Sequence, residues 1–239
     1  MVRRTKQEAQ ETRHRILDAA ENVFHERGVA HASLEDIAAA AEVTRGAIYW
    51  HFKDKAELFD AMMQRVVLPA EEMIEHAETA ADGNKLTQLR NATVDVLMRT
   101  ATDARMQRIF EIAYHKCEYV GDARGVRDRH IASQAECMRT IEEGFRACAA
   151  SGDLQPGVDP RVAAMGAMSL VSGVIANWVL DKKSFPLKKH AEALVDIFFR
   201  GLASAPKVAR QAQSGSESRI QEPAHVRTAA ARPRPAPRR

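Results

Sequence analysis

Residues 43–55 read VTRGAIYWHFKDK. Four ring-bearing side chains, Tyr49, Trp50, His51 and Phe52, stand side by side between Arg45 and Lys53, in a chain holding only 8 Phe, 3 Tyr and 2 Trp. A helix turns only one or two of four consecutive side chains toward a core, so the others must meet something else. Upstream, Leu34, Ile37, Ala38 and Ala41 recur at i, i+3, i+4 and i+7, the stripe of a short helix. Ser33 precedes it and Asp36 follows three residues on, an acidic near-match to a capping box. Thr44 is placed to cap a second short helix carrying Ala47, Ile48 and Phe52.

Two such helices joined by a turn form a helix-turn-helix, whose second element is narrow enough to enter a DNA major groove. Ala38 and Ala41 are small where the helices cross, and Val43 and Ile48 fill the wedge between them. Phe52, helped by Trp50, is expected to lock the second helix onto its neighbours. That leaves Thr44, Arg45, Gly46, Tyr49 and His51 facing outward. The Tyr49 hydroxyl and the His51 imidazole can donate to phosphate oxygens. Gly46 lets the backbone approach the groove wall closely. Lys55 adds a cation beside the free N–H groups of the next helix, which also favour an anion.

Working outward, the pattern predicts an all-α chain of about nine helices. Ile16, Leu17, Ala20, Val23 and Phe24 make one stripe, ended by Gly28. Asp54 opens a long helix with Leu58, Met62, Val66 and Ile74 inward, kinked by Pro69. Helices follow through Leu86–Leu97, from Asp103 to Tyr114, and from about Arg124 to Ser151 with Ile131, Met138, Ile141 and Phe145. Asp159-Pro160 opens the next, reaching about Leu180, and Ser184 with Pro186 begins the last. Past Ser204 the apolar rhythm ends and five of the nine prolines occur, the composition of a disordered tail. The domains read as 1–53 for the helix-turn-helix unit, 54–203 for a larger helical unit and 204–239 for a basic Pro- and Arg-containing tail.

The net charge of +3 conceals segregation. Residues 204–239 hold eight Lys or Arg against Glu217 and Glu222, and residues 1–15 hold Arg3, Arg4, Lys6, Arg13 and Arg15 against Glu8 and Glu11. Basic ends fit a polyanion partner. The first residues lack the apolar core of a leader, and no unbroken run of about 18 apolar residues occurs, so a cytoplasmic protein without membrane attachment is expected. Cys117, Cys137 and Cys148 show no CxxC spacing, which points to buried free thiols rather than a disulfide framework or zinc ribbon.

The block from Arg13 to Met62, with ILDAAENVFHERGVAHASLEDIAAAAEVTRGAIYWHFKDKAELF at its centre, resembles the DNA-binding domain of the TetR family of bacterial transcriptional repressors. MVRRTKQEAQETR and HKCEY, residues 115–119, are similar to the branch that represses multidrug-efflux pump operons. The resemblance implies that Thr44, Arg45 and Gly46 meet bases of a double-stranded operator. Tyr49, His51 and Lys55 would hold phosphates, with Ser33 and the N-terminal arm assisting. It implies a homodimer built through the last two helices; no segment resembles a nucleophile elbow or a phosphate loop, so neither catalysis nor a cofactor is expected. One departure is visible: Glu42 stands in the turn where the family usually has glycine, so a non-glycine residue is expected at positive φ.

The resemblance also implies that the larger unit binds a small effector. VAAMGAMSLVSGVIANW, residues 162–178, is apolar or small nearly all round, with Gly166, Ala167, Ser169, Gly173 and Ala176 allowing close helix approach. For the effector, an apolar or aromatic compound, the expected lining is Val96, Phe110, Tyr114, Cys137, Ile141, Met168, Val171, Ser172 and Ile175. Release from DNA would follow as a population shift, with the Pro69-containing helix as the lever. Three rivals stay open. Glu72/His76 or Glu111/His115 at i, i+4 could mark a helical metalloenzyme. His115, Cys117, Glu118, His130 and Cys137 could sense metal or redox state. The Arg-Pro tail alone could bind nucleic acid without sequence choice.

Overall fold

The computed structural model describes residues 6–66, 84–118 and 124–204. Among these, the regular elements are nine helices: α1 Lys6–Arg27, α2 Leu34–Ala40, α3 Arg45–His51, α4 55–66, α5 Lys85–Thr102, α6 Ala104–His115, α7 Arg124–Ser151, α8 Pro160–Leu180 and α9 Leu187–Leu202. An isolated antiparallel bridge joins Leu154 to Ala203 and ties the end of α9 back to the loop after α7.

Local chemistry places the boundaries. Ser33, Thr44, Asn84, Asp103 and Asp159 each accept a backbone N–H of the helix they precede, and Pro160 occupies the first turn of α8. Asp54 does the same for α4, accepting the Glu57 N–H at 2.7 Å, while Glu57 accepts the Lys53 N–H at 2.7 Å. Gly28 and Gly152 follow α1 and α7 at φ +77° and +76°, the left-handed geometry that suits a residue without Cβ. Pro69, Ile74, Glu72, His76 and the expected tail at 205–239 lie outside the described residues.

Burial divides into two cores. One gathers Ile16, Leu17, Phe24, Ile37, Ile48, Phe52, Leu58, Phe59 and Met62 from α1–α4, and it extends to Ile109 and Ile112 of α6 and Val126 of α7. The support of the helix-turn-helix therefore does not stop at residue 53. The second core packs α5, α7, α8 and α9 around Leu97, Phe145, Ala164, Ile175, Val195 and Phe199. Val96 and Phe110 pack against both. Ile131, on the same stripe of α7 as Phe145, stands half-exposed at the far end of that helix.

Helix α8 is long and apolar enough to cross a membrane by length and composition, although no unbroken apolar run exists. Its Ala163, Ala164, Ala167, Ile175, Trp178 and Val179 are buried against protein instead. Gly166 admits the ring of Phe198 from α9: a Cβ there would lie 2.7 Å from the ring. The remaining side of the pair leaves Val162, Met165, Leu180 and Ile197 exposed.

Candidate functional site

The outer face of α3 is held by what lies beneath it. Ile48 and Phe52, one turn apart, are buried, and Ala38 and Ala41 are buried at the crossing with α2. The tight turn between the helices requires Glu42 at φ +53°, as the missing glycine led one to expect. Val43 N–H then donates to Ala38 C=O at 3.0 Å and Glu42 N–H to Ala39 C=O at 3.2 Å. Arg45, Gly46 and Tyr49 are exposed, and the Thr44 hydroxyl accepts the Ala47 N–H at 3.2 Å while remaining open to solvent.

Arg45 Nε lies 3.0 Å from Glu35 Oε1, and its guanidinium carbon sits 5.6 Å from the Tyr49 ring centroid. A hydrogen bond with Tyr49, then the Glu35 charge, raise its already high pKa. His51 is half-buried, with its ring edge-on to Trp50 at 4.5 Å. Trp50 departs from expectation. Two residues past Ile48 it lies about 200° around the helix, as 3.6-residue periodicity dictates, and is 71% exposed, so Phe52 alone does the locking.

Lys55, expected to hold a phosphate, and Ser33, expected to assist, are both engaged within the protein. The Lys55 ammonium donates to Ala30 C=O at 3.2 Å and Ala32 C=O at 2.9 Å, clamping the loop before α2. The Ser33 hydroxyl donates to Asp36 Oδ2 at 2.7 Å and accepts the Asp36 N–H at 3.1 Å, and the Ser33 N–H donates to the same Asp36 Oδ2 at 3.0 Å, which completes a capping box. Those Ser33 hydrogen bonds, then Arg27 at 2.6 Å, hold the Asp36 carboxyl below its ordinary pKa.

Behind this head lies a cavity of about 170 Å³ between α4, α5, α6, α7 and α8. Val96, Phe110, Tyr114, Cys137, Ile141, Met168, Val171, Ser172 and Ile175 all border it. Sequence reasoning missed Met63 of α4, Val66 of α4, which read as an ordinary inward residue, and the polar Thr93, His130 and Gln134. Phe110 stacks with Tyr114 at 6.1 Å between centroids. Burial pushes the Tyr114 phenol pKa up, against a hydrogen bond with Ser172, so the phenol is neutral. Burial likewise pushes the His130 imidazole down, against the charge of Asp60. Among the described residues that border it, none is Asp, Glu, Lys or Arg, which suits uncharged, flat, apolar compounds.

Among the described residues, the rival pair Glu111/His115 does not assemble; Glu72 and His76 lie outside them. Glu111 faces His25 at 3.1 Å and Lys116 at 3.4 Å, whereas the His115 ring bonds the Ala176 carbonyl at 2.8 Å. Burial would raise the Glu111 pKa, but its contacts with His25 and then Lys116 bring it below its ordinary value. Among the described residues no three His, Cys, Asp or Glu side chains converge as a metal site, so His115, Cys117 and Cys137 do not form a metal-sensing set. Only Cys148 of the three thiols is fully buried; Cys117 and Cys137 are partly so.

An exposed helix-turn-helix backed by a helical unit with its own cavity defines a DNA-binding regulator with an effector-binding domain. The chain belongs to the TetR family: residues 16–62 match bacterial regulatory proteins of the tetR family, and residues 84–203 match the C-terminal region of MAATS-type transcriptional repressors. It is 40% identical over 197 residues to the HTH-type transcriptional regulator AcrR of Shigella flexneri, covering 82% of this chain and 92% of that one. The crystal structure of NalD, the secondary repressor of the MexAB-OprM multidrug efflux pump in Pseudomonas aeruginosa, superposes with a TM-score of 0.73 at 36% identity, covering 83% of this chain and 98% of NalD. The complex of triclosan with SmeT, the repressor of the Stenotrophomonas maltophilia multidrug efflux pump SmeDEF, gives 0.74 at 31%, covering 82% and 94%.

Proposed function

We propose that the chain is a cytoplasmic homodimeric repressor of a multidrug-efflux operon, released from its operator when a small apolar or aromatic compound fills the cavity. The observation that carries this reading is the position of the cavity. Met63 and Val66 border it from α4, the helix whose Leu58, Phe59 and Met62 support the helix-turn-helix. A compound there that prefers one arrangement of α4 changes how the reading heads are held, by no more than its differential affinity for the two arrangements.

On DNA, Thr44, Arg45 and Gly46 address base edges while Tyr49 and His51 hold phosphates; Ser33 and Lys55 contribute by shaping the loop and cap. The exposed Val162, Met165, Leu180 and Ile197 fit burial against a second copy as a four-helix bundle of α8 and α9. Two-fold symmetry then sets the two α3 helices about 34–36 Å apart, one turn of DNA.

The test is a footprint on the DNA upstream of the protein's own gene, followed by fluorescence anisotropy on the protected duplex with 1-naphthol and triclosan as probes. Protection of a two-fold site, lost on adding a probe, is expected. Binding that is indifferent to DNA sequence, or to both probes, would reject the reading.

A further inference from the structure

Two arginines from different helices converge on one pair of carboxylates in α1. Arg65 of α4 reaches Asp18 Oδ1 at 2.7 Å with Nη1, meets Glu21 Oε1 with the same nitrogen, and donates from Nη2 to the His14 carbonyl at 3.2 Å. Arg105 of α6 places Nη2 3.0 Å from Asp18 Oδ1 and Nε 3.4 Å from Glu21 Oε2. The Glu21 side chain is 4% exposed and that of Arg65 12%, whereas Arg105 is 52% exposed. Each arginine is chain-adjacent to a cavity wall: Val66 follows Arg65 and Met106 follows Arg105.

Resting on the effector-released reading above, we propose that this cluster is the coupler between cavity and DNA head, with Arg65 as the fixed anchor and Arg105 as the partner that lets go. A buried carboxylate cannot go unpaired without a large cost, so Glu21 must keep Arg65. Charge-assisted hydrogen bonds hold only within a few tenths of an ångström of 2.7–3.0 Å. A compound that spreads α4 from α6 therefore cannot leave both arginines on the same two carboxylates. Arg105, with the longer contact and the wetter side chain, is the one whose release costs least. With both in place α1 is braced against α4 and α6 in the operator-binding arrangement. With Arg105 withdrawn, α1 follows α4 alone.

Linkage fixes the sign of the test. If Arg105 stabilises the operator-binding arrangement, removing it weakens DNA binding and tightens probe binding, because less of the probe's binding energy goes into the change of arrangement. Damage to the fold would weaken both. Arg105→Ala in the full-length protein is expected to lose about two- to fivefold in operator affinity, the range of a half-exposed ion pair. It should gain a similar factor for 1-naphthol or triclosan, with Arg105→Lys returning part of each. Asp18→Asn, on the exposed member of the pair, should move both constants in the same senses. If the wild type responds to a probe but Arg105→Ala shifts neither constant, or shifts both downward, the coupler is wrong while the effector reading stands. A wild type blind to both probes removes both.

Discussion

The guanidinium of Arg45 lies over the ring of Tyr49, one helical turn on, while its Nε is held by Glu35 from the helix behind. The side chain expected to read a base is thus aimed outward by an aromatic platform and restrained by an acid. To reach DNA it must leave Glu35. Arg45→Ala and Tyr49→Ala should each reduce operator affinity at least tenfold. Glu35→Gln, which frees Arg45 and removes a negative charge near phosphates, should raise it about two- to fivefold. Anisotropy titrations at fixed salt measure all three.

Lys55 separates a structural from an electrostatic role. Its ammonium is spent on Ala30 and Ala32, so Lys55→Met should lower the melting temperature and weaken operator binding through the loop. The slope of log affinity against log salt should stay unchanged, whereas loss of a direct phosphate contact would reduce it by about one.

Glu42 carries left-handed backbone strain at the helix-turn-helix turn. Glu42→Gly should stabilise the protein by about 1 kcal/mol, the excess cost of that conformation for a residue with a Cβ. This corresponds to roughly 2–4 °C in Tm for a chain of this size. Calorimetry of the two proteins decides it.

Gly166 and Phe198 share one space. Gly166→Ala puts a methyl 2.7 Å from the ring and should destabilise by about 1–3 kcal/mol through overpacking. A smaller partner, Phe198→Leu, should recover part of that loss in the double variant, as read by denaturant unfolding.

His130 gives a pH signature. Burial lowers its folded-state pKa below the ordinary 6.5, so the unfolded chain binds the proton first as pH falls. Its contribution should be constant above 6.5 and decline below that value until the folded imidazole also protonates. Unfolding free energy followed from pH 7.5 to 5 should show this decline, and His130→Gln should flatten it.

The elements that local chemistry marks were legible in the sequence. Asp103, Asp159-Pro160, Gly28 and Gly152 state their boundaries through caps and left-handed stops that need no tertiary information. Helix periodicity marked Val96, Phe110, Tyr114, Cys137, Ile141, Met168, Val171, Ser172 and Ile175 as inward, but only the family resemblance marked them as a cavity lining rather than ordinary core. What stayed hidden depends on pairs distant in sequence. Lys55 looks like a surface cation until the carbonyls of Ala30 and Ala32 are brought to it, and Trp50 looks like a core residue until Ile48 and Phe52 take both inward positions. Arg65, Arg105, Asp18 and Glu21 read as ordinary charged positions on three separate helices, and only their folding together makes them a set.

The reader and the sensor are sewn together as well as stacked. Val29 N–H donates to Lys116 C=O at 2.8 Å, Lys116 Nζ donates to the His25 carbonyl at 2.7 Å, and Ile109 and Ile112 belong to the core beneath α3. A chimera that grafts a foreign recognition head at residue 53 would sever these stitches and expose apolar surface on α6. Transplanting operator choice between relatives therefore calls for exchanging residues 104–116 along with the head, or for leaving the scaffold whole and changing only the outward side chains of α3.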